Sequence, residues 1–338
     1  MRFGFSEDQE QIQLAASQLL AKRSGFDVVR AHAEARSSDA DLSAQLGELG
    51  WPAIAIPEEF GGAGLGLVEA AILLEAHGYS LAPTGLFGTA AAAALIGAAG
   101  SDEQKNKWLP GLASGELTAA VGTPQLIADA ADADLYVIYS GGSAALMPPD
   151  TVQIVDTIDP TRSYGRLADA LEGEALNGNV AAGLAHVEVL ISAELVGVGR
   201  RAVDTTVDYV KQRRQFDRAV GSFQAVSHKC VQMYLGTESA RTATYYAAWA
   251  VDTCAENMQE AVALVRAIAG EGVLEATAAA IQLHGGIGFT WEADLHWLYK
   301  RAQLMSSLLG PSRRHQAALA RLSAARLGQS ALQRSASQ

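Results

Sequence analysis

The chain has 338 residues, 49% of them apolar, and a mean hydropathy of +0.10, enough to bury the cores of two or three domains. Its net charge of -12 and pI near 5.0 exclude a generic nucleic-acid surface, which needs clustered Lys and Arg to meet phosphates. The opening MRFGFSEDQEQ is acidic and amphipathic, without the basic and apolar regions of a signal peptide. The longest apolar runs, such as Thr89 to Ala99, are too short to span a bilayer, so the expectation is a cytoplasmic protein with no membrane span. Cys230 and Cys254 suit neither a disulfide framework nor a zinc site; they are expected to be small buried hydrophobes, and no metal site is expected.

In chain order, Ser6 and Gln9 are placed for a capping box at the start of an amphipathic helix, and helical patterns run to about Gly115. A Gly-rich break over 58–66 separates Leu42 to Leu49 from a helix beginning near Leu67. Its GGAGLG run does not follow a predicted strand, so it reads as a helix-entry loop rather than a dinucleotide fingerprint. Ser101, Glu103 and Gln104 open a further short helix, with Pro110 and Gly111 expected to end it.

Leu117 to Gly122, Leu135 to Ser140, Ala144 to Met147 and Val152 to Ile158 are short β-prone runs divided by Gly, Pro and Asp. Long helical patterns return from about Ala185 to Ser323. The expected architecture is mainly α with a small central β domain: an N-terminal helical domain over 1–116, a β domain over 117–184, a C-terminal helical bundle over 185–328, and a frayed polar tail over 329–338. Two local basic clusters stand out against the acidic background, Arg213, Arg214 and Arg218 in one and Arg313 and Arg314 in the other. Either suits the phosphates of a small ligand.

Four segments in register carry a resemblance. They are GWPAIAIPEEFGGAG at 50–64, GSDEQKNKWLPGLASGE at 100–116, RRQFDRAVGSFQAVSH at 213–228 and QLHGGIGF at 282–289. Together they resemble the acyl-CoA dehydrogenase family over nearly the full length. The resemblance implies FAD as cofactor, with Arg213, Gln215, Phe216 and Gln224 contacting its adenosine-pyrophosphate part and Gln282, Gly285 and Gly286 completing the clamp. In this family such residues reach a flavin held mainly by the neighbouring subunit. The chemistry agrees, because a pyrophosphate wants a fixed guanidinium and closely approaching backbone N–H groups.

The reaction of that family needs a base for the proton beside the thioester carbonyl. Where the resemblance places the glutamate, in SSLLGPS at 306–312, this chain has Leu309. The alternative position on the first long helix of the C-terminal bundle falls at Val187. The adjacent Glu188 is rotated by about 100° on the helix, which makes it a poor candidate for the base and a better one for a surface acid. The segment from Val121 to Leu184 is also shorter than the family's β domain. The loop normally beside the flavin is reduced to Gly122, Thr123 and Pro124, and no Trp is present there to stack near the isoalloxazine.

His228 and His284 lie inside the two motifs and read as structural or solvent-facing, while Trp291, Trp297 and Tyr299 are expected in the helical core or an interface. These features imply an acyl-CoA dehydrogenase subunit that pairs with a homologous, catalytically complete partner in a two-plus-two heterotetramer and lends Arg213 and Gly286 to the partner's FAD. The acyl-CoA, by analogy one of a bulky molecule such as a sterol side chain, would be held mainly by the partner, and an electron-transfer acceptor is expected. The alternatives are a self-sufficient homotetramer using Glu188 or another carboxylate in a rearranged pocket, and a non-enzymatic scaffold with the same fold.

Overall fold

A computed structural model describes residues 4–168 and 173–336, with side chains described as far as Arg326. The N-terminal part is six helices: α1 (Glu7–Arg23), α2 (Phe26–Ala35), α3 (Ala40–Glu48), α4 (Leu67–Ser80), α5 (Leu86–Ala99) and α6 (Asp102–Ser114). The capping box at Ser6 and Gln9 is formed, and Ser101 with Gln104 makes a second one. Pro110 does not end α6 as expected. The helix continues to Ser114 because Leu109 and Leu112 are buried, while Pro110 and Asn106, whose carbonyl loses its N–H partner, face solvent. The 58–66 segment is a loop entering α4, with Gly61 and Gly64 in the left-handed region.

Among the described residues the central sheet has seven strands: β1 (Ala119–Thr123), β2 (Leu126–Ala128), β3 (Leu135–Ser140), β4 (Ser143–Met147), β5 (Val152–Val155), β6 (Tyr164–Leu167) and β7 (Glu174–Leu176). Their order is β5-β6-β2-β1-β3-β4-β7, with only β1 and β3 parallel. Three of these strands escape the sequence patterns, since β2, β6 and β7 are three or four residues long and gain their pairing only from neighbours. Pro124 and Gln125 alone join β1 to β2, whose residues Thr123 and Leu126 are paired.

Five further helices follow: α7 (Val180–Gln212), α8 (Gln224–Asp252), α9 (Met258–His284), α10 (Leu295–Leu309) and α11 (Ser312–Ala336). The first starts earlier than expected because the Asn179 side chain accepts from the Ala182 N–H at 3.0 Å. The backbone of α11 stays helical to Ala336, so the segment read as a frayed tail is helical up to that residue, and 337–338 lie outside the described residues. Cys254 is exposed just past α8 and Cys230 is half-buried, so neither is the buried hydrophobe expected; each lies by the outer side of α8 rather than in the core. Among the described residues α7 alone is long and apolar enough to cross a membrane, and 72% of its most apolar window is buried in the protein.

Charged groups lock the parts together. Arg301 of α10, fully buried, gives Nη1 to Glu194 of α7 at 2.7 Å, Nε to Asp159 at 2.9 Å, and Nη2 to the Thr161 carbonyl at 2.8 Å. Arg162 gives Nη2 to the same Glu194 at 2.9 Å, places Nε 2.7 Å from Asp129, and lies over the Phe87 ring of α5. Asp129 in turn accepts from the Gly88 N–H at 2.7 Å. Burial works to raise Glu194, but Arg162, the His77 ring and Arg301 hold it well below the usual carboxylate range. Burial pushes Asp129 up, with Arg162 pulling the other way.

A second contact is steric. Glu75 and Gly78 on α4 face Glu194 and Gly197 on α7. A Cβ on Gly78 would collide with the Glu194 carbonyl oxygen, and one on Gly197 with that of Glu75. The two backbones therefore touch. Buried Glu75 is held by Arg200, by Arg241 at 3.0 Å and by the Tyr245 hydroxyl at 2.6 Å, which adds α8 to the crossing. Replacing Arg301 by Met should lower the unfolding free energy by about 3–5 kcal/mol in urea titrations, because two buried carboxylates lose a partner. Asp156→Ala, which removes the exposed pair with Arg36, should cost less than about 1 kcal/mol.

Candidate functional site

The two sequence motifs meet at one edge of the C-terminal bundle. Arg213 caps α7, its N–H donating to the Tyr209 carbonyl at 2.8 Å, and the chain then folds into a two-residue hairpin pairing Arg214–Gln215 with Arg218–Ala219. The turn holds Phe216 and Asp217 in the left-handed region, which leaves the Phe216 ring 87% exposed. Behind it Arg218 lies over the Phe223 ring at 3.9 Å, and Gln224 begins α8. Gln215 gives its amide to the Arg214 carbonyl at 2.8 Å. Arg213 is exposed and has no ion pair among the described residues.

The Gln282 to Phe289 segment reaches the same edge through one stacking contact. The His284 ring lies 4.1 Å from that of Tyr209, whose hydroxyl donates to the His284 carbonyl at 3.3 Å. Burial lowers the His284 pKa, and its Nδ1 contacts the Ala280 carbonyl, so this histidine is structural. Gly285 turns the chain at φ 65°, and a Cβ at Gly285 or Gly286 would meet open space. Gln282 is exposed beside them, His228 is exposed on α8, and Phe289 and Trp291 stand 79% and 70% exposed beyond the turn. Trp297 is buried, and Lys300 lies over both indoles.

The second site is where the two alternative base positions come together. Leu309, 3% exposed, ends α10, and its carbonyl accepts from the His315 ring at 2.6 Å. Val187 points into the core. Glu188, one step on, faces α9 and pairs with Arg266 at 2.8 Å, its side chain 14% exposed. It is not the surface acid expected, because α9 covers that face of α7. Tyr139 of β3 links the two positions: its hydroxyl lies 3.5 Å from the Leu308 carbonyl, and burial, with Glu188 adding to it, pushes its pKa well above the range of ordinary phenols.

Burial raises Glu188 to about 7, with Arg266 pulling the other way. It also lowers Arg266, so desolvation opposes the charge on both partners and their attraction offsets it only in part. Arg266 and Tyr139 escape motif reading. A lone Arg inside the apolar run AVALVRAIAG of α9 is the one signal in the sequence that a buried acid must face it.

Residues 6–116 match the model of the acyl-CoA dehydrogenase N-terminal domain, and residues 179–324 match that of the acyl-CoA dehydrogenase C-terminal domain. The chain is 35% identical to acyl-CoA dehydrogenase IpdE2 of Mycolicibacterium smegmatis over 91% of its own length and 96% of that protein's. It is 37% identical to acyl-CoA dehydrogenase IpdE2 of Mycobacterium tuberculosis, over 90% of this chain and 93% of the other. A solved variant of the Tcur3481-Tcur3483 steroid ACAD superposes with a TM-score of 0.85 at 25% identity, covering 95% of this chain and 99% of that one.

The raised Glu188 carboxyl has a thermodynamic signature. Below the unfolded value near 4.5 both states are protonated; between there and about 7 the unfolded chain has released a proton that the folded chain keeps, so stability falls with pH. Glu188→Gln should therefore remove a decline of at most about 3 kcal/mol between pH 4.5 and 7, read as convergence of the two melting curves on one side of that window and their separation on the other.

Proposed function

The chain belongs to the acyl-CoA dehydrogenase family, and from that premise we propose that it is the subunit of a heteromeric enzyme that completes the FAD site of a homologous partner. The observation that carries this reading is a separation. Glu188 lies on α7 about seven turns before its Arg213 cap, roughly 37 Å at 1.5 Å per residue. The Arg213 edge and the Leu309 cleft of a single chain are thus too far apart to serve opposite ends of one dinucleotide.

The edge suits the adenosine-pyrophosphate part of FAD. Arg213 offers a guanidinium with no competing acid among the described residues, and the open space over Gly285 and Gly286 lets a phosphate approach the backbone. Gln215, Gln224 and Gln282 bring exposed amides to the same edge, and Phe216 an exposed ring. When bound, FAD supplies the hydride acceptor for α,β-dehydrogenation of an acyl-CoA thioester. This chain's contribution is to hold and orient it from the side.

The chain's own cleft supports the same division of labour. Leu309 accepts no proton, and the two-residue β1–β2 turn leaves no loop to cover a flavin ring. By analogy with the steroid dehydrogenase named above, the thioester is that of a bulky, sterol-derived acyl group held mainly by the partner, in a two-plus-two assembly that passes electrons to a separate acceptor. A second reading is favoured by one observation: a Glu188 carboxyl near 7 is poised for general-base work in a self-sufficient enzyme.

The two readings separate in co-expression with a dehydrogenase-like partner. In the first, flavin is retained only in the complex, Arg213→Ala weakens its retention by roughly tenfold or more, and Glu188→Gln leaves turnover nearly unchanged. Turnover lost by several orders of magnitude in Glu188→Gln, from a yellow assembly of this chain alone, would overturn it. A colourless complex whose activity survives Arg213→Ala would leave only a scaffold role.

A further inference from the structure

A groove opens between α9, α10 and the start of α11, lined on its polar side by Arg266, Gln303 and Ser306 and on its apolar side by Leu274, Leu309 and Pro311. Its floor is the Arg266 guanidinium, 29% exposed and paired on one edge with Glu188 behind it. The Ser306 hydroxyl has no hydrogen-bond partner among the described residues. A Cβ at Gly270 would stand 3.4 Å from that hydroxyl oxygen, so glycine there keeps the floor open.

The local charge is opposite to that of the whole chain. Arg314 is near enough to act on Arg266, and among the described residues neither Arg313 nor Arg314 has an ion-pair partner. Two acids are close by, and both are engaged: Glu188 with Arg266, and Glu271 on the outer flank with the Gln316 amide at 3.3 Å. The Arg313–Arg314 cluster, unused by the flavin edge, thus borders a second basic recess in a protein of net charge -12.

We propose that this groove binds the carboxylate of a small organic acid, the Arg266 guanidinium pairing with the charge, Ser306 donating a hydrogen bond, and Leu274 and Leu309 receiving the apolar body. A carboxylate fits better than a phosphate for two reasons. The Arg266 guanidinium, paired on one edge with Glu188, offers its other edge to a planar, two-oxygen group, and Arg314 nearby supplies the further positive charge that one more carboxylate needs. The facing wall is aliphatic, so a dianion would be desolvated there without a partner. The groove stands on its own residues, whether or not the Arg213 edge meets a flavin.

Calorimetric titration of the full chain with hexanoate, hexanamide and inorganic phosphate tests the assignment. Hexanoate should bind saturably and hexanamide should not. Arg266→Gln should weaken hexanoate by roughly tenfold or more, and Ser306→Ala by a few fold. Because Arg266→Gln also strips Glu188 of its partner, at a cost to folding, Ser307→Trp at the exposed rim provides a second variant, which should block the groove with Arg266 in place. Absent hexanoate binding, equal binding of hexanamide, tighter binding of phosphate, or full affinity in Ser307→Trp would each overturn the proposal. A chain that fails here yet retains flavin with its partner would lose this site and keep the lending role.

Discussion

The buried cluster of Arg301, Glu194 and Arg162 is the constraint on which the rest of the protein depends. A charge moved from water into the interior stays there only if its partners are fixed, and these partners come from α10, α7, the start of α5 and the connections that follow β2 and β5. No one of those elements can shift without stranding a charge. The helical and β parts are therefore joined by electrostatics in the places where apolar packing alone would let layers slide.

With that cluster fixed, α7 becomes a ruler. It carries Glu188 near one end, Glu194 at the electrostatic centre, Arg200 toward the Glu75 crossing, and Arg213 at its far cap. A helix of this length sets the Glu188 cleft and the Arg213 edge far apart. The two features can therefore vary independently along one helix.

Much of this was legible in the sequence. The capping boxes at Ser6 and Ser101 and the Gly-rich entry to α4 are local signals, set by a few neighbouring residues. The features that were not legible depend on tertiary partners. Glu188 looks like a surface acid until α9 lays Arg266 over it; Pro110 looks like a stop until Leu109 and Leu112 anchor the turn around it; β6 pairs only because β2 and β5 flank it. The hairpin at Phe216 was hidden because a phenylalanine at positive φ contradicts its own backbone preference.

The reciprocal contact of Gly78 and Gly197 bears on how such a chain can change over generations. At these two positions even one methyl group would drive α4 from α7, whereas Leu309 packs in the cleft without entering the charged cluster. Selection on folding and selection on chemistry thus act on separate residues. The cleft is free to vary while the architecture is policed elsewhere, at two positions where no side chain fits.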